Sequence, residues 1–137
     1  MTIPILKTKA ELRKWRNEQK SHVHFVPTMG SLHLGHRELI KAAKKQSLKN
    51  SPTVLVSIFI NPLQFNDDED FERYPKDLIK DHKFAESSGA DALWAPEFED
   101  IFPGGEEKNF RINAPEILKA NLCGHFRKGH FDGVATV

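Results

Sequence analysis

With a single cysteine, Cys123, the chain cannot close an intrachain disulfide. That suits a reducing compartment, and the chain is expected to be cytoplasmic. The amino terminus, Met1 to Lys7, lacks the long apolar core of a signal peptide. Long hydrophobic runs are missing as well. The longest, Val54 to Ile60, is interrupted by Ser57 and falls far short of a membrane span. Nor is there an excess of charge of one sign. Lys and Arg number 20 against 19 Asp and Glu, for a net charge of +1 at pH 7. That excludes a broad basic field for nucleic acid or an anionic membrane, so neither is expected as a partner. Recognition of an anion must be local. Internal repeats and low-complexity tracts are absent too.

What is present is ordinary globular composition: 137 residues, 39% of them hydrophobic and 28% charged. That is enough chain for one domain with a real core, and too apolar for disorder. Thr8-Lys9-Ala10-Glu11 has the form of a capping box, followed by helix formers to about Lys20 with Leu12, Trp15 and Arg16 on one face. His22 to Val26 reads as a strand ended by Pro27. A helix is expected from His36 to Ser47, with Leu39, Ile40, Ala42 and Ala43 sharing a face. Val54 to Ile60 suits a central strand covered on both sides, stopped by Asn61-Pro62. Pro75 is expected to open a helix at its first position, with Leu78, Ile79, His82 and Ala85 inward and Gly89 as its C-cap. Asp91 to Ala95 reads as the next strand, ended by Pro96.

Helix and strand therefore alternate, which implies a parallel sheet with right-handed crossovers: the doubly wound, Rossmann-like α/β class. Beyond it, Phe110 to Ile112 reads as a short strand, Pro115 to Leu122 as a short helix, and Gly129 to Val137 as the start of another helix. The last residues, Ala135-Thr136-Val137, are apolar and uncapped, so more chain is expected to follow in the intact protein.

In such sheets ligands sit beyond the carboxyl ends of strands. Pro27 to His36 is a loop of that kind, running from a strand into a helix. Gly30 and Gly35 permit positive φ and close backbone approach. The free N–H groups and dipole of the helix start can take a phosphate, with His33 and His36 donating to its oxygens. Capping of the helix by the two histidines, or a metal pair, are the alternatives. The strand, the Pro-Thr-Met-Gly turn and the helix around them favour phosphate binding.

Asn61 and Gln64 can hydrogen-bond hydroxyl and carboxylate groups of a small substrate, with Phe65 as a wall; the alternative is a turn with a solvated Gln. Tyr74 could reach the same pocket. Asp77 and Asp81 are candidate magnesium contacts, direct or through water, although acidic residues in a first helical turn are common for dipole reasons. Asp67 to Asp70 reads as a solvated acidic loop. Gly124 to Val134 carries three glycines, two histidines and two cations and reads as a mobile, anion-friendly loop. A zinc site from Cys123, His125 and His130 is conceivable but lacks paired spacing.

Four segments together resemble the pantothenate synthetase (pantoate–β-alanine ligase) family: Pro27-Thr28-Met29-Gly30-Ser31-Leu32-His33-Leu34-Gly35-His36, Val56-Ser57-Ile58-Phe59-Ile60-Asn61-Pro62-Leu63-Gln64-Phe65, Tyr74-Pro75-Lys76, and Arg127-Lys128-Gly129-His130-Phe131-Asp132-Gly133-Val134. They run in the family's order, from about residue 23 onward. The first two are specific to it, while the H-x-G-H core alone is shared with other nucleotidylyltransferases and class I aminoacyl-tRNA synthetases. Lys128 stands where the family has Pro.

The resemblance implies an H-x-G-H nucleotidylyltransferase-type sheet and a two-step ligation of pantoate and β-alanine through a pantoyl adenylate, with ATP as substrate, Mg2+, and a homodimer when intact. It implies that Met29, Gly30, Ser31, Leu32, His33, Leu34, Gly35 and His36 hold ATP. His36 and His33 would act on the phosphate charge. Gln64, Met29, Asn61 and Tyr74 would meet pantoate and β-alanine. It makes residues 1–137 an N-terminal ATP- and pantoate-binding domain, truncated, without the family's later phosphate-binding segments and C-terminal domain. The chain alone is then expected to be inactive or nearly so. The alternatives are another nucleotidylyltransferase of this type and a non-catalytic nucleotide-binding fragment.

Overall fold

A computed structural model describes residues 2–45, 52–65, 68–119 and 123–137, with the side chains of Asp68 and Cys123 outside the description. Along the chain run β1 (Ile5–Leu6), α1 (Lys9–Glu18), β2 (Val23–Thr28), α2 (Leu34–Lys45), β3 (Thr53–Ile58), a 3-10 turn (Pro62–Gln64), α3 (Asp68–Arg73), α4 (Leu78–Ser88), β4 (Ala92–Trp94), α5 (Phe98–Ile101), a second 3-10 turn (Glu106–Lys108), α6 (Glu116–Lys119), α7 (Cys123–Phe126) and α8 (His130–Thr136). The chain divides into two compact units: residues Met1–Ile60 with Pro75–Asp100, and residues Asn61–Tyr74 with Ile101–Val137.

The first unit is the expected α/β sheet. Its strands lie in the order β1-β4-β3-β2, and every pairing is parallel. Both faces of β3 are covered, which explains its nearly unbroken apolar sequence. Val54 and Val56 join Ile40 of α2, Ala85 of α4 and Leu93 of β4 on one face. Leu55 joins Leu6, Ala92, Leu12 and Trp15 on the other, under α1. Ile40, Val54, Val56 and Leu93 have no measurable solvent exposure. Each buried aliphatic side chain of this kind contributes roughly 1.5–3 kcal/mol.

Local sequence accounts for several boundaries. Thr8 accepts from the Glu11 N–H while the Glu11 carboxylate accepts from the Thr8 N–H, so the capping box of α1 is formed. Gly89 ends α4 in the left-handed region, at φ 103°.

Other boundaries differ from expectation. β2 runs through Pro27 to Thr28. The carbonyls of His22 and Thr28 accept from Thr53 and Phe59, so by alternation Pro27 turns its missing N–H away from β3 and costs no ladder bond. α2 starts at Leu34, two residues earlier than read; the expected end at Ser47 lies outside the described residues. α4 starts at Leu78 with Asp77 as its cap, so Pro75 precedes the helix and does not open it. Leu39 and Ile79, expected inward, are 55% and 71% exposed. Ile40 and Ala43 of α2 and Ala85 of α4 pack in the core as expected, and Asp81 and the expected His82 are buried on α4.

In the second unit, α8 packs on the Pro62–Gln64 turn, and α6, α7 and α8 contact one another. Asp68 to Asp70, read as a loop, form the first half of α3, while Asp67 lies outside the described residues. Phe110 to Ile112 form no strand, and Phe110 is almost wholly exposed. The expected helix from Pro115 is α6, whose described part ends at Lys119. The predicted helix beyond Gly129 is α8.

Among the described residues, no helix is long and apolar enough to cross a membrane.

Candidate active site

The loop from Thr28 to His36 leaves the carboxyl end of β2 and runs into α2. Gly30 and Ser31 both take positive φ, 82° and 52°. Gly35 does not: it lies inside the first turn of α2 with helical neighbours, contrary to expectation. Its lack of a side chain serves close approach instead. A Cβ there would sit 2.9 Å from the His33 ring.

The two histidines build the start of α2. His33 immediately precedes the helix, and its Nδ1 accepts from the Gly35 N–H at 3.1 Å. The Nδ1 of His36 accepts from the His33 N–H at 3.2 Å. This is the reciprocal logic of a capping box with imidazoles in place of hydroxyl and carboxylate. With Nδ1 accepting, each neutral ring carries its proton on Nε2. The rings lie 4.1 Å apart, tilted by 53°. Burial first, and the neighbouring His33 second, hold the His36 pKa below its ordinary value against a smaller opposing effect of Asp81. His36 is therefore a neutral Nε2–H donor near pH 7. Capping and anion donation, posed as alternatives by the sequence, are compatible: the cap occupies Nδ1 and leaves Nε2–H.

Several backbone donors of the loop, which the sequence reading had as free, are already engaged. Gly30 N–H donates to Thr28 Oγ1, Ser31 and Leu32 N–H donate to the two oxygens of Asp81, and Arg37 N–H donates to the His33 carbonyl. Thr28 Oγ1 in turn donates to the Ser57 carbonyl at 2.6 Å. Arg37 also reaches α4, through Ser88 Oγ and over the ring of Phe84.

Asp77 and Asp81, the candidate metal contacts, do other work. Asp77 Oδ1 accepts from the Lys80 N–H as the cap of α4. Asp81 is 4% exposed and engaged on both oxygens. Among the described residues no group of three or more His, Cys, Asp or Glu is placed to hold a metal ion. The side chain of Cys123, and with it the conceivable zinc site, lies outside the description.

A cavity of about 380 Å³ opens beyond the carboxyl ends of all four strands, where α/β sheets hold their ligands. Lys7 follows β1, Met29 and Gly30 follow β2, Ile60 follows β3 and Ala95 follows β4 on its wall, with Lys76, Asp77 and Asp81 completing it. His33 and His36 are not on that wall.

The second unit holds the other candidates. Asn61 is 1% exposed and caps the 3-10 turn. Its Oδ1 accepts from the Leu63 N–H, and its Nδ2 donates to the Gly133 carbonyl and to Gln64 Oε1. Asn61 is thus engaged internally rather than offered to a substrate. The backbone N–H of Leu63 and carbonyl of Gly133 fix which way its amide points. Asn61 in turn makes Gln64 an acceptor on Oε1, which leaves Nε2 as the donor Gln64 can present. Tyr74 packs edge-on against Phe65, which also meets Phe71 and lies under Arg127.

The segment Gly124 to Val134, read as a mobile loop, is mostly α7 and α8. His130 Nδ1 donates to the Gln64 carbonyl, and Arg127 pairs with Asp70. Gly133 lies so close to the turn that a Cβ would fall 2.3 Å from the Leu63 carbonyl oxygen. Sequence reasoning had Asp81 as a metal contact, and His130 and Gly133 as parts of a family-like, anion-friendly loop, with His130 also a conceivable zinc ligand. Their roles depend on contacts 50, 66 and 72 residues away, between Asp81 and Ser31, His130 and Gln64, and Gly133 and Asn61, which no local pattern displays.

Known proteins resemble this chain in sequence and fold. The chain is 51% identical over its whole length to a bifunctional pantoate ligase/cytidylate kinase of Prochlorococcus marinus (strain NATL1A), of which it covers 27%. The crystal structure of the pantoate–β-alanine ligase of Francisella tularensis, complexed with β-γ ATP and β-alanine, superposes with a TM-score of 0.85 at 37% identity, covering 98% of this chain and 50% of that one. The pantothenate synthetase of Thermus thermophilus superposes at 0.81 with 41% identity, over 98% and 46% of the two chains. The chain thus spans about half the length of the solved structures and about a quarter of that curated relative. The sequence profile of the pantoate–β-alanine ligase family matches residues 4–137, which include both donor groups and the parallel sheet that carries the first of them, and the chain belongs to that family.

Proposed function

We propose that this chain forms the nucleotide-binding part of an enzyme that joins pantoate to β-alanine. Pantoate's carboxylate attacks the α-phosphate of ATP, giving pantoyl adenylate and pyrophosphate. The β-alanine amine then displaces AMP to give pantothenate. The observation that carries this reading is the pair of imidazoles at the start of α2, each held by a backbone N–H on Nδ1 with Nε2–H left to donate. A neutral donor that needs no reorganisation stabilises charge growing on phosphate and pyrophosphate oxygens. No protein nucleophile is required; positioning and charge stabilisation suffice.

In this reading residues Met29 to His36 receive ATP. His36 acts on the phosphate undergoing attack and His33 assists. Gln64 offers its Nε2 donors to the carboxylates of pantoate and β-alanine, while Met29 and Tyr74 wall the substrates and Asn61 holds Gln64. Magnesium comes with ATP, held chiefly by phosphate oxygens and water. The protein works in the cytoplasm, as a homodimer, with residues 1–137 as its N-terminal ATP- and pantoate-binding domain.

ATP–pyrophosphate exchange with the full-length protein carrying this chain tests the reading. Exchange that requires pantoate and is indifferent to other carboxylates and to phosphorylated acceptors is expected. Exchange driven by a phosphorylated acceptor and not by pantoate would replace this function by nucleotidylyl transfer.

A further inference from the structure

The geometry points to Asp81 as a positioning residue that holds the nucleotide loop from beneath rather than as a ligand of magnesium. The inference rests on the nucleotide-binding reading of residues Met29 to His36.

Asp81 stands in the first turn of α4, 4% exposed. Its Oδ2 accepts from the Ser31 N–H at 2.8 Å and its Oδ1 from the Leu32 N–H at 2.7 Å. These are the two peptide groups that follow the positive-φ pair Gly30 and Ser31. Left-handed backbone at Ser31 is unfavourable for a residue with a Cβ, so something must hold it. Two short bonds to one carboxylate do so. The fit is close: a Cβ on Gly30 would lie 2.9 Å from Oδ2. The carboxylate therefore sits where an anion bound by a glycine-rich loop would sit, and it satisfies the N–H groups that such an anion would need.

Two consequences follow. Phosphate oxygens are received by the Nε2–H side of His33 and His36, not by the N–H groups of Ser31 and Leu32. A metal ion at Asp81 would have to share a carboxylate whose two oxygens already accept charge-assisted hydrogen bonds, with only Asp77 on the same cavity wall and no group of three or more ligating side chains among the described residues.

Hydrogen exchange on the full-length protein, free of nucleotide and metal, reads the contact directly. The Ser31 and Leu32 amides are expected to exchange about a hundredfold more slowly than in an unstructured peptide. Asp81→Asn would turn an NH2 toward one of the two donors. It is expected to speed their exchange at least tenfold, with Val54 to Val56 still protected. In the same variant, ATP affinity by calorimetry in excess EDTA should weaken about tenfold, and the Mg2+ concentration that half-saturates exchange activity should stay unchanged. Unprotected Ser31 and Leu32 amides in the wild-type protein would overturn the proposal, whether or not the variant folds. So would a severalfold rise in the Mg2+ requirement with metal-free ATP affinity intact, which would make Asp81 a metal ligand. Loss of pantoate-dependent exchange in the wild type would refute the proposed function and leave the hydrogen-exchange result standing.

Discussion

The two units place their polar side chains by opposite means. In the first, side chains hold backbone: Thr28, His33, His36 and Asp81 each accept from a peptide N–H of the loop between Gly30 and Gly35. In the second, backbone holds side chains: the Leu63 N–H and the Gly133 carbonyl orient Asn61, which orients Gln64. The outcome is similar. Each unit presents N–H donors on neutral groups, imidazole in one and carboxamide in the other, with the orientation decided in advance. Neutral, directed donors suit phosphate and carboxylate oxygens and cost little rearrangement when charge develops. The difference lies in robustness. The first arrangement depends on side chains that substitution removes one at a time, whereas the second depends on one buried amide on which the rest turns.

The sharpest way to break the comparison is at His36. His36→Ala in the full-length protein should lower kcat for pantoate-dependent exchange by roughly 10²–10³-fold, the usual loss for a donor to transition-state charge. Helix capping worth about 1 kcal/mol is lost with it, and circular dichroism should show the fold kept. A near-normal rate would remove the histidine from the chemistry.

Next comes Asn61→Ala. It leaves the Leu63 N–H and the Gly133 carbonyl without their partner in a buried place, and should cost roughly 2–4 kcal/mol in urea unfolding. The KM for pantoate should rise while the KM for ATP changes little. Equal rises in both would deny that the amide serves Gln64 specifically.

Gly35→Ala separates stability from geometry. Alanine gains about 0.5–1 kcal/mol of helix propensity, yet its Cβ would press on the His33 ring 2.9 Å away. Thermal stability should stay within about 1 kcal/mol of wild type while exchange falls about five- to tenfold. An unchanged rate would show that the His33 ring can move without consequence.

The smallest expected effect is on pH. The folded His36 pKa lies below its ordinary value, chiefly through burial, so the unfolded chain takes up a proton first as pH falls. Stability should be flat above about pH 6.5 and decline below it toward the lower folded value. Protonation also ends acceptance by Nδ1 of the His33 N–H. Melting curves between pH 7.5 and 5.5 should show this decline in the wild type and less of it in His36→Ala.

Features written within a few residues could be read from sequence. The Thr8–Glu11 box, the Gly89 cap and the apolar run of β3 each depend on neighbours in the chain, and each formed. The alternation of helix and strand likewise led to the parallel sheet. Reading failed where a distant contact decides. Leu39 and Ile79 sit at helical spacing from core residues, but the sheet meets only part of each helix. Gly124 to Val134 has the composition of a loop, and packing of Gly133 against Leu63 draws half of it into α8. His33 and His36 could be located from sequence, but their tautomer could not, because it depends on which backbone N–H each ring accepts.

Pro27 stands in β2 beside that loop with its ring turned away from β3. A second strand laid along the outer side of β2 could take N–H bonds from Val23 and Phe25 but would find no donor at Pro27. Continuous pairing along this edge therefore weakens one residue before the strand ends. A chain segment added there, from this molecule or another, has its ladder broken just short of Met29, and the sheet's own chemistry keeps a strand from zipping across the mouth of the loop.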